Sequence, residues 1–97
     1  MMERKKIEKI ILNYLIDYNP EMIGLFGSFA RKEENPKSDI DILVRFKKSP
    51  SLLQLIRIEN ELSKKIGYKV DLLTEGAIQN KIIKKQIKQD LQIIYNA

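Results

Sequence analysis

The chain has 97 residues, of which 43% are hydrophobic and 32% charged, a balance typical of one small globular domain rather than a disordered or fibrous chain. It contains no cysteine and no histidine, which excludes a disulfide scaffold and leaves oxygen atoms as the ligands for any metal ion. The net charge of +5 favours anionic partners, such as nucleotides, nucleic acids or an acidic protein surface. We expect one domain over residues 1–97. Because its apolar runs are far shorter than the ~20 residues of a membrane span, we also expect a cytoplasmic location and no membrane partner.

The first third of the chain predicts a helix, a strand and a tight turn. Apolar residues recur at helical spacing over 4–18, and Asn19-Pro20 ends the pattern, so we predict an amphipathic helix there. The apolar run 22–26 predicts a buried strand. That strand leads into Gly27-Ser28, and we expect a short helical turn over 29–32 to follow.

A change of period marks the next strand. Residues 33–38 are polar and contain a proline, which indicates a loop. Over 39–46 the apolar residues then alternate with Asp39, Asp41, Leu43 and Arg45, as in a strand with one face in the core. The core-facing residues of that strand are predicted to be Ile40, Ile42, Val44 and Phe46.

The second half predicts two further helix–strand pairs. Ser49-Pro50 predicts an N-cap followed by proline in the first turn, and Gly67 a C-terminal cap. A strand over 68–73, a basic helix over 75–88 and an edge strand over 91–95 are expected to follow. The apolar stripes of the two helices are predicted to be Leu52, Leu55, Ile56, Leu62 and Ile66 in one, and Ile78, Ile82, Ile83 and Ile87 in the other.

Helices and strands alternate along the whole chain. This order predicts an α/β (α+β) fold, with helices packed on a small mixed β-sheet.

The turn at Gly27-Ser28 has the features of a phosphate-binding element. A glycine lets the backbone turn sharply and approach a ligand closely. The backbone amides at the start of the short helix, together with Ser28, would then present hydrogen-bond donors to a phosphate.

Two aspartates are spaced for a divalent cation. Asp39 and Asp41 are two residues apart on a strand, so their carboxylates project from the same face. Like charges placed side by side repel unless a cation lies between them, and Mg²⁺ is the cation that suits oxygen ligands and nucleotide phosphates. Asp71, on the next strand, has the parity to join them and to act as a general base.

These residues resemble a known signature. Gly27-Ser28, ten residues, then Asp39-x-Asp41 resembles the motif of the nucleotidyltransferases related to DNA polymerase beta. The short chain, with Phe26-Gly27-Ser28-Phe29-Ala30-Arg31, resembles the minimal nucleotidyltransferase (MNT) branch of that superfamily. The resemblance implies the nucleotidyltransferase fold. It also implies that Asp39, Asp41 and Asp71 bind Mg²⁺, with two ions expected, and that Gly27 and Ser28 bind the nucleotide.

The activity implied by this resemblance is transfer of AMP from ATP to a hydroxyl group. Members of the MNT branch are typically antitoxins that neutralise a HEPN-domain ribonuclease toxin by attaching AMP to one of its tyrosines. We therefore expect a protein adenylyltransferase that acts as the antitoxin of a cognate HEPN toxin. Arg31 aligns with a position that is frequently basic in the family and could contact a phosphate.

Two alternatives remain open on the sequence. The acceptor could be a small molecule or an RNA end, or the chain could neutralise its partner by binding alone. Lysines at i, i+3, i+4 and i+7 form one basic stripe on the last predicted helix, which is either a solvated face or a docking face for an acidic partner or RNA. The lack of interleaved aromatic residues argues against direct nucleic-acid binding. The stripe consists of Lys81, Lys84, Lys85 and Lys88.

Overall fold

The computed structural model describes residues 3–30 and 39–97. The predicted loop 33–38 and residues 31–32 of the predicted turn lie outside this part. In chain order the elements are α1 (Arg4–Leu15), β1 (Pro20–Phe26), α2 (Gly27–Ala30), β2 (Ile40–Phe46), α3 (Leu52–Ile66), β3 (Val70–Thr74), α4 (Lys81–Asp90) and β4 (Gln92–Asn96). Single 3₁₀ turns follow α1 at Ile16–Tyr18 and β3 at Glu75–Ala77. The predicted α/β class is confirmed.

The strands form one mixed sheet in the order β3-β2-β1-β4. β1 runs antiparallel to both β2 and β4, whereas β2 and β3 are parallel. Because parallel neighbours cannot be joined by a hairpin, α3 provides the crossover between them. The predicted edge strand is confirmed as β4.

The two faces of the sheet carry different helices. On one face the main core packs alternate residues of the strands against α1 and α3. On the other face, Met22 of β1 and Leu43 of β2 pack with Ile87 of α4 in a smaller cluster. Asp41 has the parity of Leu43 and therefore lies on the α4 face.

The first and third helices differ in detail from their predictions. α1 ends at Leu15 rather than at residue 18, because the chain tightens into a 3₁₀ turn and Asn19 adopts a left-handed φ of 55°. The N-cap predicted at Ser49-Pro50 is wrong. Ser51 caps α3 instead, since its hydroxyl accepts from the Gln54 amide and the Gln54 side chain accepts from the Ser51 amide. The predicted C-cap at Gly67 is confirmed, with φ of 86°.

The apolar stripe of α3 is only partly as predicted. Leu62 and Ile66 are buried as expected, and they are joined by Ile58. Leu52 is 72% exposed and Ile56 45% exposed, so the prediction that these two belong to the packed stripe is wrong. The helix carries apolar residues on more than one side, and the side that packs on the sheet follows the i, i+4 row 58, 62, 66.

The last predicted helix is divided. A 3₁₀ turn occupies Glu75–Ala77, and α4 begins after Asn80, whose side chain accepts hydrogen bonds from the amides of Ile82 and Ile83. Of the predicted stripe only Ile87 is buried in α4, while Ile82 is 70% exposed. In the described part of the chain, no helix has both the length and the apolar character needed to cross a membrane.

Candidate active site

Gly27 lies directly against the carboxylate of Asp41. It follows β1, and the last β1 residue, Phe26, is the register partner of Asp41 in β2. A Cβ atom built on Gly27 would overlap Oδ2 of Asp41 and lie 3.2 Å from its Cγ. The backbone φ at Gly27 is 74°, a left-handed value that L-residues with a Cβ adopt only with strain. Both observations favour glycine here.

Asp41 and Asp71 lie side by side on the adjacent strands β2 and β3. They are Cα partners in the parallel pairing of β2 with β3, so their side chains share one face at the strand spacing of about 4.8 Å. Both residues are half-buried, while Val70 and Leu72 on either side of Asp71 are buried on the opposite face. The parity predicted for Asp71 is therefore the one observed. Two carboxylates in this arrangement repel each other and attract a cation.

Asp39 lies one residue before β2 and interacts with Lys69. Its Oδ2 is 4.0 Å from Nζ of Lys69, which precedes β3 in the same way. The side chains are 41% and 71% exposed respectively, and exposed ion pairs of this kind contribute about 0–1 kcal/mol. Asp39 can therefore exchange Lys69 for another cation at little cost.

The aspartates fit a hard divalent cation by their donor chemistry. Within residues 3–30 and 39–97, no three acidic side chains are gathered closely enough to hold a metal ion together. The structure pairs Asp41 with Asp71, while Asp39 lies just before β2, and only its spacing from Asp41 predicts that it shares their face. All the donors are carboxylate oxygens, which Mg²⁺ prefers, and the 97 residues contain no histidine or cysteine to favour a softer metal.

Side chains from both ends of the chain hold α2 in place. Nε2 of Gln92, in β4, donates to the carbonyl of Ala30 at 2.7 Å. Arg4, in α1, donates to Oε1 of Gln92 and to the carbonyl of Phe29, and its guanidinium lies 5.3 Å above the Phe29 ring. The sequence analysis missed Arg4 and Gln92. Neither belongs to a motif, and only the pairing of β4 with β1 brings them beside the turn.

We expect the Gln92→Leu variant to lose about 1 kcal/mol of unfolding free energy, because it leaves the Ala30 carbonyl without its side-chain donor. Urea unfolding measures this loss, and amide hydrogen exchange should show faster exchange in α2. Gln89→Leu, at an exposed position of α4, is the matched control and should stay within about 0.5 kcal/mol of the wild type. Equal urea midpoints for the two variants would contradict this role of Gln92.

The nucleotide contacts predicted for Ser28 and Arg31 fall outside what the structure describes. Ser28 follows Gly27 in α2, but its side chain is not described, and neither is Arg31. The nucleotide contacts expected of these two residues remain predictions.

A small mixed sheet with paired aspartates beside a glycine turn is the arrangement expected of a nucleotidyltransferase domain. Residues 5–97 match the family model described as Polymerase beta, Nucleotidyltransferase. The chain belongs to this polymerase beta nucleotidyltransferase family, and its predicted fold is confirmed.

Relatives within the family are named as protein adenylyltransferases. The chain is 33% identical over 93 residues to protein adenylyltransferase MntA of Thermococcus cleftensis, covering 92% of this chain and 94% of the relative. It is 50% identical over 74 residues to a protein of Methanocaldococcus jannaschii that is provisionally named protein adenylyltransferase MJ0128, covering 76% of each chain. The predicted enzyme class is thereby confirmed.

Solved structures share the fold. A provisionally assigned minimal nucleotidyltransferase superposes with a TM-score of 0.75 at 27% identity, covering 92% of this chain and 89% of that one. A chain of a toxin–antitoxin crystal structure with AMP-PNP gives 0.84 at 22% identity, covering 93% and 73%. A chain of the complex between a tri-AMPylated Shewanella oneidensis HEPN toxin and its MNT antitoxin gives 0.80 at 20% identity, covering 98% and 74%.

Proposed function

We propose that this chain is a Mg²⁺-dependent adenylyltransferase that transfers AMP from ATP to a hydroxyl group, a tyrosine in the first instance, of a cognate HEPN ribonuclease toxin. It thereby acts as the antitoxin of that protein. The observation that carries the proposal is the pairing of Asp41 with Asp71 on adjacent strands, with Gly27 packed against the Asp41 carboxylate.

The reaction is a displacement at the α-phosphorus of ATP. The acceptor oxygen forms a bond to that phosphorus, the bond from phosphorus to the bridging α–β oxygen breaks, and pyrophosphate leaves. Asp71 is the proposed base that accepts the proton of the acceptor hydroxyl, because it lies on the site face across from Asp41. Gly27 and Ser28 are proposed to bind the triphosphate, since α2 begins at the turn beside Asp41.

Asp39, Asp41 and Asp71 are the residues that would hold Mg²⁺, with two ions proposed. When bound, Mg²⁺ would supply positive charge that stabilises the phosphate groups and the charge that develops during the displacement. Asp41 and Asp71 would otherwise repel each other on a single face of the sheet.

A protein acceptor is supported by the names of the relatives and of the structures that share the fold. The relatives that match over more than two thirds of this chain are named as protein adenylyltransferases. Structures with the same fold include toxin–antitoxin complexes, one of them with an AMPylated HEPN toxin.

Intact-mass spectrometry tests the proposal. The candidate HEPN toxin, purified as the product of the adjacent gene, is incubated with this protein, ATP and Mg²⁺, and we expect its mass to rise by one or more AMP units. Chelation of Mg²⁺ should abolish the gain, and peptide mapping should place it on tyrosine. A folded partner that forms a complex with this chain but gains no mass would refute the transfer reaction and leave neutralisation by binding.

A further inference from the structure

A recess lies on the same face of the sheet as the aspartates, beneath α4. Its volume is about 200 Å³, and its floor is formed by Met22, Leu43 and Ile87, all of which are buried. Ile93, on the edge strand β4, lines its open side and is 54% exposed. The recess is below the 300–1,000 Å³ typical of small-molecule pockets and suits one inserted apolar side chain.

The rim of this recess is basic. Lys84, Lys88 and Arg45 line it, and Lys84 and Lys88 belong to the stripe of four lysines on α4 defined above. Glu75 also lines the recess, but Nη1 of Arg45 contacts its Oε2 at 3.3 Å, so Lys84 and Lys88 give the rim its net positive charge. Among the residues that the structure describes, no ion pair engages the four lysines. Like charges at i+3 and i+4 destabilise a helix, so an acidic partner would relieve a repulsion that the free chain carries.

We propose that this recess and the lysine stripe together form the docking site for an acidic segment of the partner protein, with one apolar side chain of that segment inserted beneath α4. An apolar anchor surrounded by complementary charge is the usual anatomy of a protein-binding hot spot. Exposed isoleucines such as Ile82 and Ile93 lie beside the lysines, and α4 carries no aromatic residue, so a protein suits this surface better than RNA.

The position of the recess gives docking a catalytic consequence. Leu43 is two residues beyond Asp41 on β2, about 6.6 Å along the strand, and both lie on the α4 face. A segment anchored over Leu43 is therefore held within one or two residues' reach of the paired aspartates. The inference rests on the proposed function for the identity of the partner, and it adds where that partner is held.

Charge reversal on α4 tests the docking site. The Lys84→Glu/Lys88→Glu variant and the matched control Lys5→Glu/Lys6→Glu change the net charge equally, but the control residues lie on α1, which covers the opposite face. Affinity for the purified adjacent-gene product is measured by calorimetry at two salt concentrations. We expect the α4 variant to bind at least about tenfold more weakly and the control to bind within about twofold of wild type. Ile93→Thr tests the apolar part and should also weaken binding, at a position where a β-branched residue keeps the strand.

The outcomes separate this inference from the proposed function. At saturating partner, the α4 variant should transfer AMP at the wild-type rate, with a raised KM for the partner only. Equal affinities of wild type and α4 variant, with AMP transfer intact, would overturn the docking site and leave the reaction standing. If wild type does not bind the partner at all, the antitoxin role fails and the inference falls with it. If a short single-stranded RNA, rather than the partner, shows the lysine dependence, the surface is a nucleic-acid site and the inference is likewise wrong.

Discussion

The Asp41→Asn variant is expected to transfer AMP roughly 10²–10³-fold more slowly than the wild type, or not at all. The substitution keeps the size and shape of the side chain but removes the negative charge beside Gly27 and opposite Asp71. Loss of one group that stabilises developing charge at a reaction centre typically costs this much in rate. Single-turnover measurements with excess enzyme report the chemical step without the contribution of partner release.

A melting-temperature measurement and a matched variant serve as the controls for Asp41→Asn. Because a ligand that binds only the folded state stabilises it, ATP with Mg²⁺ should raise the melting temperature of the wild type more than that of Asp41→Asn. Asp17→Asn, in the exposed 3₁₀ turn after α1, removes the same charge far from the site and should transfer normally. Wild-type rates from Asp41→Asn would show that Asp41 is not in the reaction centre, whatever the family motif implies.

A related comparison separates chemistry from occlusion. The double variant Asp39→Asn, Asp41→Asn removes two predicted metal ligands but leaves the recess beneath α4 and the lysine stripe unchanged. If this variant still neutralises the partner in full, binding alone accounts for the antitoxin effect.

Much of the fold followed from local patterns in the sequence. The alternation over 40–46 identified β2 correctly because one of its faces is buried and Arg45 is exposed on the other. Gly67 was identifiable because a left-handed C-cap is a local requirement of the backbone. The N-cap of α3 was also a local feature but was misread: Ser51 caps the helix because Gln54 lies three residues on, the spacing of a capping box, whereas the prediction followed Ser49 and the proline at position 50.

The wrong predictions concern which face of a helix is buried, and tertiary contacts decide that. α3 and α4 both carry more isoleucine and leucine than one face needs, so periodicity alone could not say that Leu52 and Ile82 stay exposed. For the site, strand parity was enough to place Asp71 on the face of Asp41, but the pairing of Lys69 with Asp39 rather than with Asp71 depends on the register of β2 and β3. The contacts of Arg4 and Gln92 with α2 join residues at opposite ends of the chain, which no local pattern records.

Gly27→Ala is expected to impair both folding and transfer. An alanine at φ 74° carries backbone strain of about 1–2 kcal/mol, and its Cβ would in addition overlap the Asp41 carboxylate. Relieving that overlap requires Asp41 or the turn to move. Displacement of a reacting group by about 1 Å can cost 10²-fold in rate, so we expect transfer to fall by about that factor even at temperatures where the variant is fully folded.

Alanine variants at two other glycines separate the effect of backbone strain from that of the contact with Asp41. Gly67 has φ of 86° with no atom within 4 Å of an added Cβ, so Gly67→Ala carries only the backbone strain. Gly76 has neither the left-handed φ nor a close neighbour, so Gly76→Ala should be nearly neutral. In urea unfolding we expect Gly27→Ala to lose the most stability, Gly67→Ala about 1–2 kcal/mol and Gly76→Ala the least, while only Gly27→Ala slows AMP transfer. If Gly27→Ala matches Gly67→Ala in stability and transfers AMP at the wild-type rate, the close approach of Gly27 to Asp41 serves the backbone turn alone.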